Sequence, residues 1–298
     1  MNSDLERLIN RVETVLARFE STLPQAQSAS DWKKGMAYRW RRRGNGGFLQ
    51  PVAHPHKIRL TDLQGIDDQI RLIEQNTRQF IDGLTANNVL LTGARGTGKS
   101  SLVKALLNRF SSKGLRLIEV DKHDLMDLPD IVDLIADVPF KFILFCDDLS
   151  FDADEPGYKA LKVILDGSIS ATSENLLIYA TSNRRHLMPE FMQENLETKY
   201  LGEEIHPGET VEEKISLSER FGLWVSFYPF DQDEYLTIVA YWLGELGVPE
   251  REWNEKTRSE ALQWALTRGS RSGRVAWHFA RDWAGRHKIT SGASGKKS

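Results

Sequence analysis

Apolar and polar positions follow two regimes along the chain. From residue 67 to residue 180, short continuous apolar runs alternate with stretches of helical spacing. The runs are Asn88-Val89-Leu90-Leu91-Thr92, Leu115 to Val120, Phe142-Ile143-Leu144-Phe145-Cys146 and Leu176 to Ala180. Each is short and mostly apolar, as strands buried on both faces are. The intervening stretches predict helices over 67–81, with Ile70, Ile73, Thr77 and Phe80 on one face, over 100–110 and over 158–166. Residues 127–134 predict a helix or turn. Strands alternating with helices imply an α/β fold with a parallel sheet covered on both faces. After Pro229 the pattern becomes purely helical, with candidates at 232–246, 256–267 and 273–285; Val275, Phe279 and Trp283 lie four apart on the last.

The N-terminal part is less regular. Residues 4–20 carry Leu5, Leu8, Ile9, Val12, Val15, Leu16 and Phe19 at helical spacing, residues 21–31 read as a polar loop, and residues 39–59 mix Arg, Gly and Pro without a clear period. The expected organisation is an N-terminal helix with a basic, aromatic segment (1–58), an α/β core (59–228), a small helical domain (229–290) and a disordered Gly-, Ser- and Lys-rich tail (291–298).

Composition narrows the setting. The chain has 298 residues, 40% hydrophobic and 27% charged, with a net charge of −3. Those values describe an ordinary globular protein whose overall field gives no reason to expect nucleic acid. Cys146 is the single cysteine, so an intramolecular disulfide and a cysteine-rich metal site are both excluded. No apolar run approaches the ~18 residues of a membrane span, and the N-terminus has no signal-peptide core. The expectation is a cytoplasmic protein without membrane attachment.

The clearest chemistry lies just after the first apolar strand. Gly93-Ala94-Arg95-Gly96-Thr97-Gly98-Lys99-Ser100 matches G-x-x-x-x-G-K-[ST], a phosphate-binding loop. Glycines let the backbone wrap closely, and the N–H groups at the start of the following helix point at phosphate oxygens. Lys99 supplies a point charge to the β and γ phosphates, and the Ser100 hydroxyl ligates magnesium. Ser101 continues the same helix start. Asp147 ends the strand 142–146, where a magnesium carboxylate belongs, and Asp148 is placed to orient or deprotonate the attacking water. ATP and Mg²⁺ are the implied cofactors.

With these features in order, the chain resembles the AAA+ ATPases, and most of all a bacterial branch catalogued only as a domain of unknown function. The resemblance rests on Tyr38-Arg39-Trp40-Arg41, Asn87 to Ser101, Phe145 to Phe151, Tyr179 to Leu187, Leu217 to Leu223 and Gly269 to Ala276, and spans roughly residues 38 to 282. It implies a P-loop AAA+ core with a helical lid, ATP hydrolysis at subunit interfaces of a homo-oligomer, and mechanical work on a protein or nucleic-acid client. It implies that Asn183 is the polar sensor placing the attacking water. Arg220 in Ser218-Glu219-Arg220-Phe221 takes the place of the arginine finger acting on a neighbour's ATP, with Arg184 and Arg185 as alternatives. Arg274 takes the place of the lid arginine that contacts the γ-phosphate, with Arg271 as its alternative, and Ile66 in Leu63-Gln64-Gly65-Ile66 is the contact to adenine. Two features depart from the common pattern. Asp148 stands where many members have Glu, although replication initiators and some helicase loaders share the Asp-Asp pair. The Glu-rich stretch Leu201 to Lys214 has no assigned role.

Lys33, Lys34, Arg39, Arg41, Arg42 and Arg43 interleave with Trp32, Tyr38, Trp40 and Phe48. Such a stretch can track a nucleic-acid backbone and stack bases. It can equally be a segment docked on the core with its tryptophans buried and its arginines solvated or paired. The leading functional expectation is an ATP-hydrolysing remodeller or loader. A slowly hydrolysing, ATP-dependent switch or recruitment module is the alternative, and a small-molecule kinase is disfavoured by the lid and by Asn183 and Arg220.

Overall fold

The computed structural model describes residues 11–13, 15, 32–44, 46–150, 156–166, 174–183, 200–201, 204–205 and 217–294. The chain enters through strand β1 (Ala37–Arg43) and its hairpin partner β2 (Gly46–Pro51), then helix α1 (Asp67–Ile81) and β3 (Val89–Gly93). Helix α2 (Lys99–Phe110), β4 (Leu115–Glu119), α3 (Leu128–Ile135), β5 (Lys141–Cys146), α4 (Pro156–Asp166) and β6 (Leu176–Ser182) follow. A small hairpin, β7 (Tyr200–Leu201) and β8 (Glu204–Ile205), precedes β9 (Leu223–Phe227). Helices α5 (Gln232–Glu245), α6 (Glu255–Thr267) and α7 (Gly273–Ser294) close the chain.

Seven strands form one sheet in the order β2-β1-β4-β5-β6-β3-β9. All pairings in it are parallel except the β1–β2 hairpin. The parallel strands read as continuous apolar runs because both faces are covered: β3 is buried from Val89 to Thr92, and β5 from Phe142 to Cys146. One core, under α1 and α2, includes Ile73, Leu106, Phe110 and Ile143 and continues into the lid through Phe230, Tyr235 and Phe279. The other, under α3 and α4, includes Trp40, Ile118, Ile131, Leu144 and Leu161.

Buried polar groups pin the centre of the sheet to α1. The fully buried Tyr179 hydroxyl meets Thr77 Oγ1 at 2.8 Å and accepts from Asn76 Nδ2 at 3.1 Å. Asn76 also bonds both backbone groups of Asn87, at 2.9 Å each, which sets where β3 starts. The lid begins at a reciprocal cap: the Asp231 carboxylate accepts from Glu234 N–H and the Glu234 carboxylate from Asp231 N–H, both at 2.8 Å.

The structure differs from the sequence expectations in three places. Residues 37–51 lie within the expected N-terminal segment but belong to the core sheet, because Tyr-Arg-Trp-Arg is a period-two strand with one buried face. Strand β9 has no counterpart among the expected elements; its Leu-Trp-Val-Ser-Phe run is an alternating edge strand. Helix α7 runs to Ser294, past the predicted end at 285 and into the expected tail. Of the helix expected at 4–20, only 11–13 and 15 are described, and they are helical; the rest of it, the loop 21–31 and residues 295–298 lie outside the described residues. Among the described residues no helix is long and apolar enough to cross a membrane.

Candidate nucleotide site

The site forms where β3, β5 and β6 end at the same edge of the sheet. Their parallel pairing carries the loop after β3, the acids after β5 and Asn183 after β6 to one place. The loop needs glycine at two points for steric reasons. A Cβ on Gly93, at φ +125, would lie 1.9 Å from the Phe227 carbonyl oxygen of β9, whose backbone passes against the loop. A Cβ on Gly96, at φ +75, would lie 2.8 Å from Ser272 of the lid. The Gly96 carbonyl also accepts the Gly273 N–H at 2.9 Å, so the lid rests directly on the loop.

The Lys99 ammonium donates to the carbonyls of Gly93 and Ala94 at 2.7 Å each and to Asn183 Oδ1 at 3.1 Å. Burial pushes it down to about 8, against the pull of Asp148 and Asp147, with Arg95 adding to the lowering. Thr97 Oγ1 donates to the Ala94 carbonyl at 2.8 Å and closes the loop on itself. Ser100 Oγ donates to Asp147 Oδ1 at 2.5 Å. Asn183 Nδ2 donates to Asp148 Oδ1, so this one amide touches both the lysine and the second acid.

A cleft of about 880 Å³ gathers nearly all of the sequence-predicted residues: Arg95 to Ser101, Asp147, Asp148, Asn183, Ile66 and Arg274 line it. Gly93 and Ala94 take part through their carbonyls. Of the two lid arginines weighed from sequence, Arg274 faces this cleft, whereas Arg271 lines a separate groove between the loop and α6. Arg220 is not brought to the cleft; its guanidinium pairs with Asp166 at the end of α4. Arg184 and Arg185 lie outside the described residues.

Sequence reasoning missed two groups. The apolar end of the cleft is walled by Phe230, Ile238, Trp242 and Trp277, the two indoles meeting edge to face at 4.6 Å. Ile238 and Trp242 are four apart on α5, a spacing that could have marked them as one face. The other miss is Thr181, two residues before Asn183 and on the same side of β6, where the period of a strand would have found it.

The basic, aromatic stretch has a structural role. Trp40 is 1% exposed and donates from Nε1 to Asp127 Oδ2 at 2.9 Å, and Tyr38 is equally buried, so neither ring is available to stack a base. Trp32 packs edge-on against Tyr38 and Phe142. Arg39 pairs with Glu119 at 2.8 Å and Arg42 with Asp127 at 3.1 Å.

Comparison with known proteins bears on the fold. Residues 33–287 match the model of a family described as protein of unknown function (DUF815). No protein of curated function matches the chain. Among solved structures, Orc1 of Aeropyrum pernix in complex with DNA is similar at 13% identity and a TM-score of 0.52, covering 76% of this chain and 61% of that one. A Thermotoga maritima RuvB variant (13% identity, TM-score 0.48, covering 75% and 63%) and Caenorhabditis elegans PCH-2 (17%, 0.48, 73% and 62%) are also similar. The chain thus spans a little over 60% of the length of each. The sheet order, the loop after β3 and the C-terminal helices together make an AAA+ P-loop fold.

Proposed function

The chain belongs to the DUF815 family, and from the site it carries we propose that it is an AAA+ ATPase that binds and hydrolyses Mg-ATP to remodel or load a client. The observation that supports this most is the convergence of Lys99, Ser100, Asp147, Asp148 and Asn183 through direct hydrogen bonds at the mouth of one cleft. The residues fit a nucleoside triphosphate. The loop's glycines let its backbone pass against β9 and the lid, and Lys99 satisfies itself on loop carbonyls that a phosphate group can replace. Ser100 and Asp147 would hold magnesium, which when bound neutralises charge on the phosphates. Asp148 and Asn183 would orient the attacking water, and Arg274 would reach the phosphates from the lid. Ile66, with the lid indoles, would cover the base. Core and lid would divide near residue 229, and β1 and β2 would move with the core.

Arg220 is the proposed trans-acting finger of a homo-oligomer; in that role it must leave Asp166. Losing a finger costs roughly 10³ to 10⁵ in rate in other P-loop systems. Arg220→Ala and Lys99→Ala are each expected to be nearly inactive, and mixed oligomers of the two to regain part of the activity. Mixed oligomers that form and stay inactive would exclude the trans role.

One observation favours a second reading, a slowly hydrolysing switch: Asp148 is a methylene shorter than Glu and is already engaged by Asn183. Steady-state ATPase assays separate the two. Turnover that vanishes in Asp148→Asn, with nucleotide binding retained, supports the motor; binding without measurable turnover in the wild type supports the switch. Undiminished ATP affinity in Lys99→Ala would refute both.

A further inference from the structure

The turn after β5 places a side-chain-bearing residue in the left-handed region. Asp148 has φ +54, the one positive φ at a non-glycine position among the described residues. That conformation is uncommon for side chains other than Asn and Asp, and here it is also supported from outside the turn. The support comes from Thr181 on β6. Its Oγ1 accepts the Asp148 N–H at 2.9 Å and donates to Asp147 Oδ1 at 2.7 Å, and its backbone carbonyl accepts the Leu149 N–H at 2.6 Å. The directions are unambiguous. The Asp148 N–H offers only a proton, so the single hydroxyl proton of Thr181 goes to the carboxylate. The residue is 2% exposed, and its hydroxyl is held between these two partners.

The consequences reach both acids. Asp147 Oδ1 receives two hydroxyl donors, Thr181 from β6 and Ser100 from α2, and the carboxyl plane is held between them. Asp148 is turned at its backbone so that its carboxylate meets Asn183, which also bonds Lys99. We infer that Thr181 is the positioning residue of the hydrolytic site, setting the metal carboxylate and the water-orienting carboxylate together through one hydroxyl. This rests on the Mg-ATP reading above. The Thr181 hydroxyl bonds the Asp148 N–H and the Asp147 carboxylate, and acts through the two acids.

The test compares Thr181→Val, which keeps the branched shape a strand prefers, with Thr181→Ser, which keeps the hydroxyl. In Thr181→Val, kcat is expected to fall about tenfold or more while KM for ATP stays within roughly threefold, since one buried hydrogen bond of that kind is worth about a decade in rate. Thr181→Ser is expected to stay within about threefold of the wild type. A readout without turnover is the gain in ADP affinity on adding magnesium, measured by calorimetry. That gain is expected to shrink several-fold in Thr181→Val, with magnesium-free affinity unchanged. If Thr181→Val does not fold, Thr181→Ala against Thr181→Ser makes the same comparison with and without the hydroxyl. Wild-type kcat and magnesium gain in the hydroxyl-free variant would overturn the inference, as would equal damage in Thr181→Ser. Either result alongside an inactive Lys99→Ala leaves the ATPase reading standing. A wild type that neither hydrolyses Mg-ATP nor gains affinity from magnesium would overturn both.

Discussion

In β1, Ala37, Tyr38 and Trp40 are buried and Arg41 to Arg43 are exposed, whereas in the loop from Gly93 to Ser100 the backbone carbonyls of Gly93 and Ala94 take up a buried lysine. Both stretches are dense in basic residues or glycine and both stand out in the sequence. In β1, Tyr38 and Trp40 fill the core under α3 while Arg39 and Arg42 fold onto Glu119 and Asp127. In the loop, Lys99 is turned inward onto carbonyls, burial makes its charge costly, and only two glycines keep β9 and the lid from colliding with it. The comparison teaches that charge density alone does not mark a binding surface. What separates the two is where the counter-groups are: β1 has acids within reach on β4 and before α3, and the loop has its own oxygens, which a ligand can displace.

Four substitutions would sharpen or break this contrast. Trp40→Ala is expected to cost about 3–5 kcal/mol of stability, the range for deleting a large buried aromatic, with unchanged nucleotide affinity in the protein that remains folded. Chemical denaturation and calorimetry would measure the two; a loss of affinity without a loss of stability would put β1 in the site after all. Lys99→Ala is expected to weaken ATP binding by roughly ten- to a hundredfold, the value of charge-assisted bonds of about 1.5–3 kcal/mol. Its melting temperature should not fall, because the ammonium is desolvated in the folded state. Gly96→Ala should cost about 1–3 kcal/mol through its left-handed backbone and press on Ser272 of the lid, lowering melting temperature and affinity together. Arg39→Ala should change stability by less than about 1 kcal/mol, as its pair with Glu119 is half exposed. The same variant bears on nucleic acid: a wild-type complex that weakens steeply with salt, and a weaker complex with a shallower salt dependence in Arg39→Ala, would restore the binding reading of this stretch.

Much of the architecture was legible in the chain. Runs such as Phe142 to Cys146 announce buried strands because parallel strands covered on both faces have no solvent side to encode. The Gly93–Ser100 loop announces a candidate phosphate site because the whole motif lies within eight consecutive residues. Asp147 and Asp148 were legible as a strand end for the same local reason. Strand β1 escaped because its alternating pattern is half arginine, and the acids that pair with those arginines lie some 80 residues away.

The sequence by itself determined most of the strands and helices between residues 67 and 285, the glycine-lysine loop motif and the identity of the acids, all of which depend on spacing within a turn or a strand. Tertiary structure alone decided which strands lie side by side, and with that everything that crosses between them. Only the β5–β6 pairing gives Thr181 its grip on Asp147 and Asp148; only the β3–β9 pairing requires Gly93. Only the docking of α7 on the loop turns Arg274 toward the cleft and leaves Arg271 outside it. These are contacts between residues tens to hundreds of positions apart, and their geometry is set by sheet order and helix packing, which no local pattern contains.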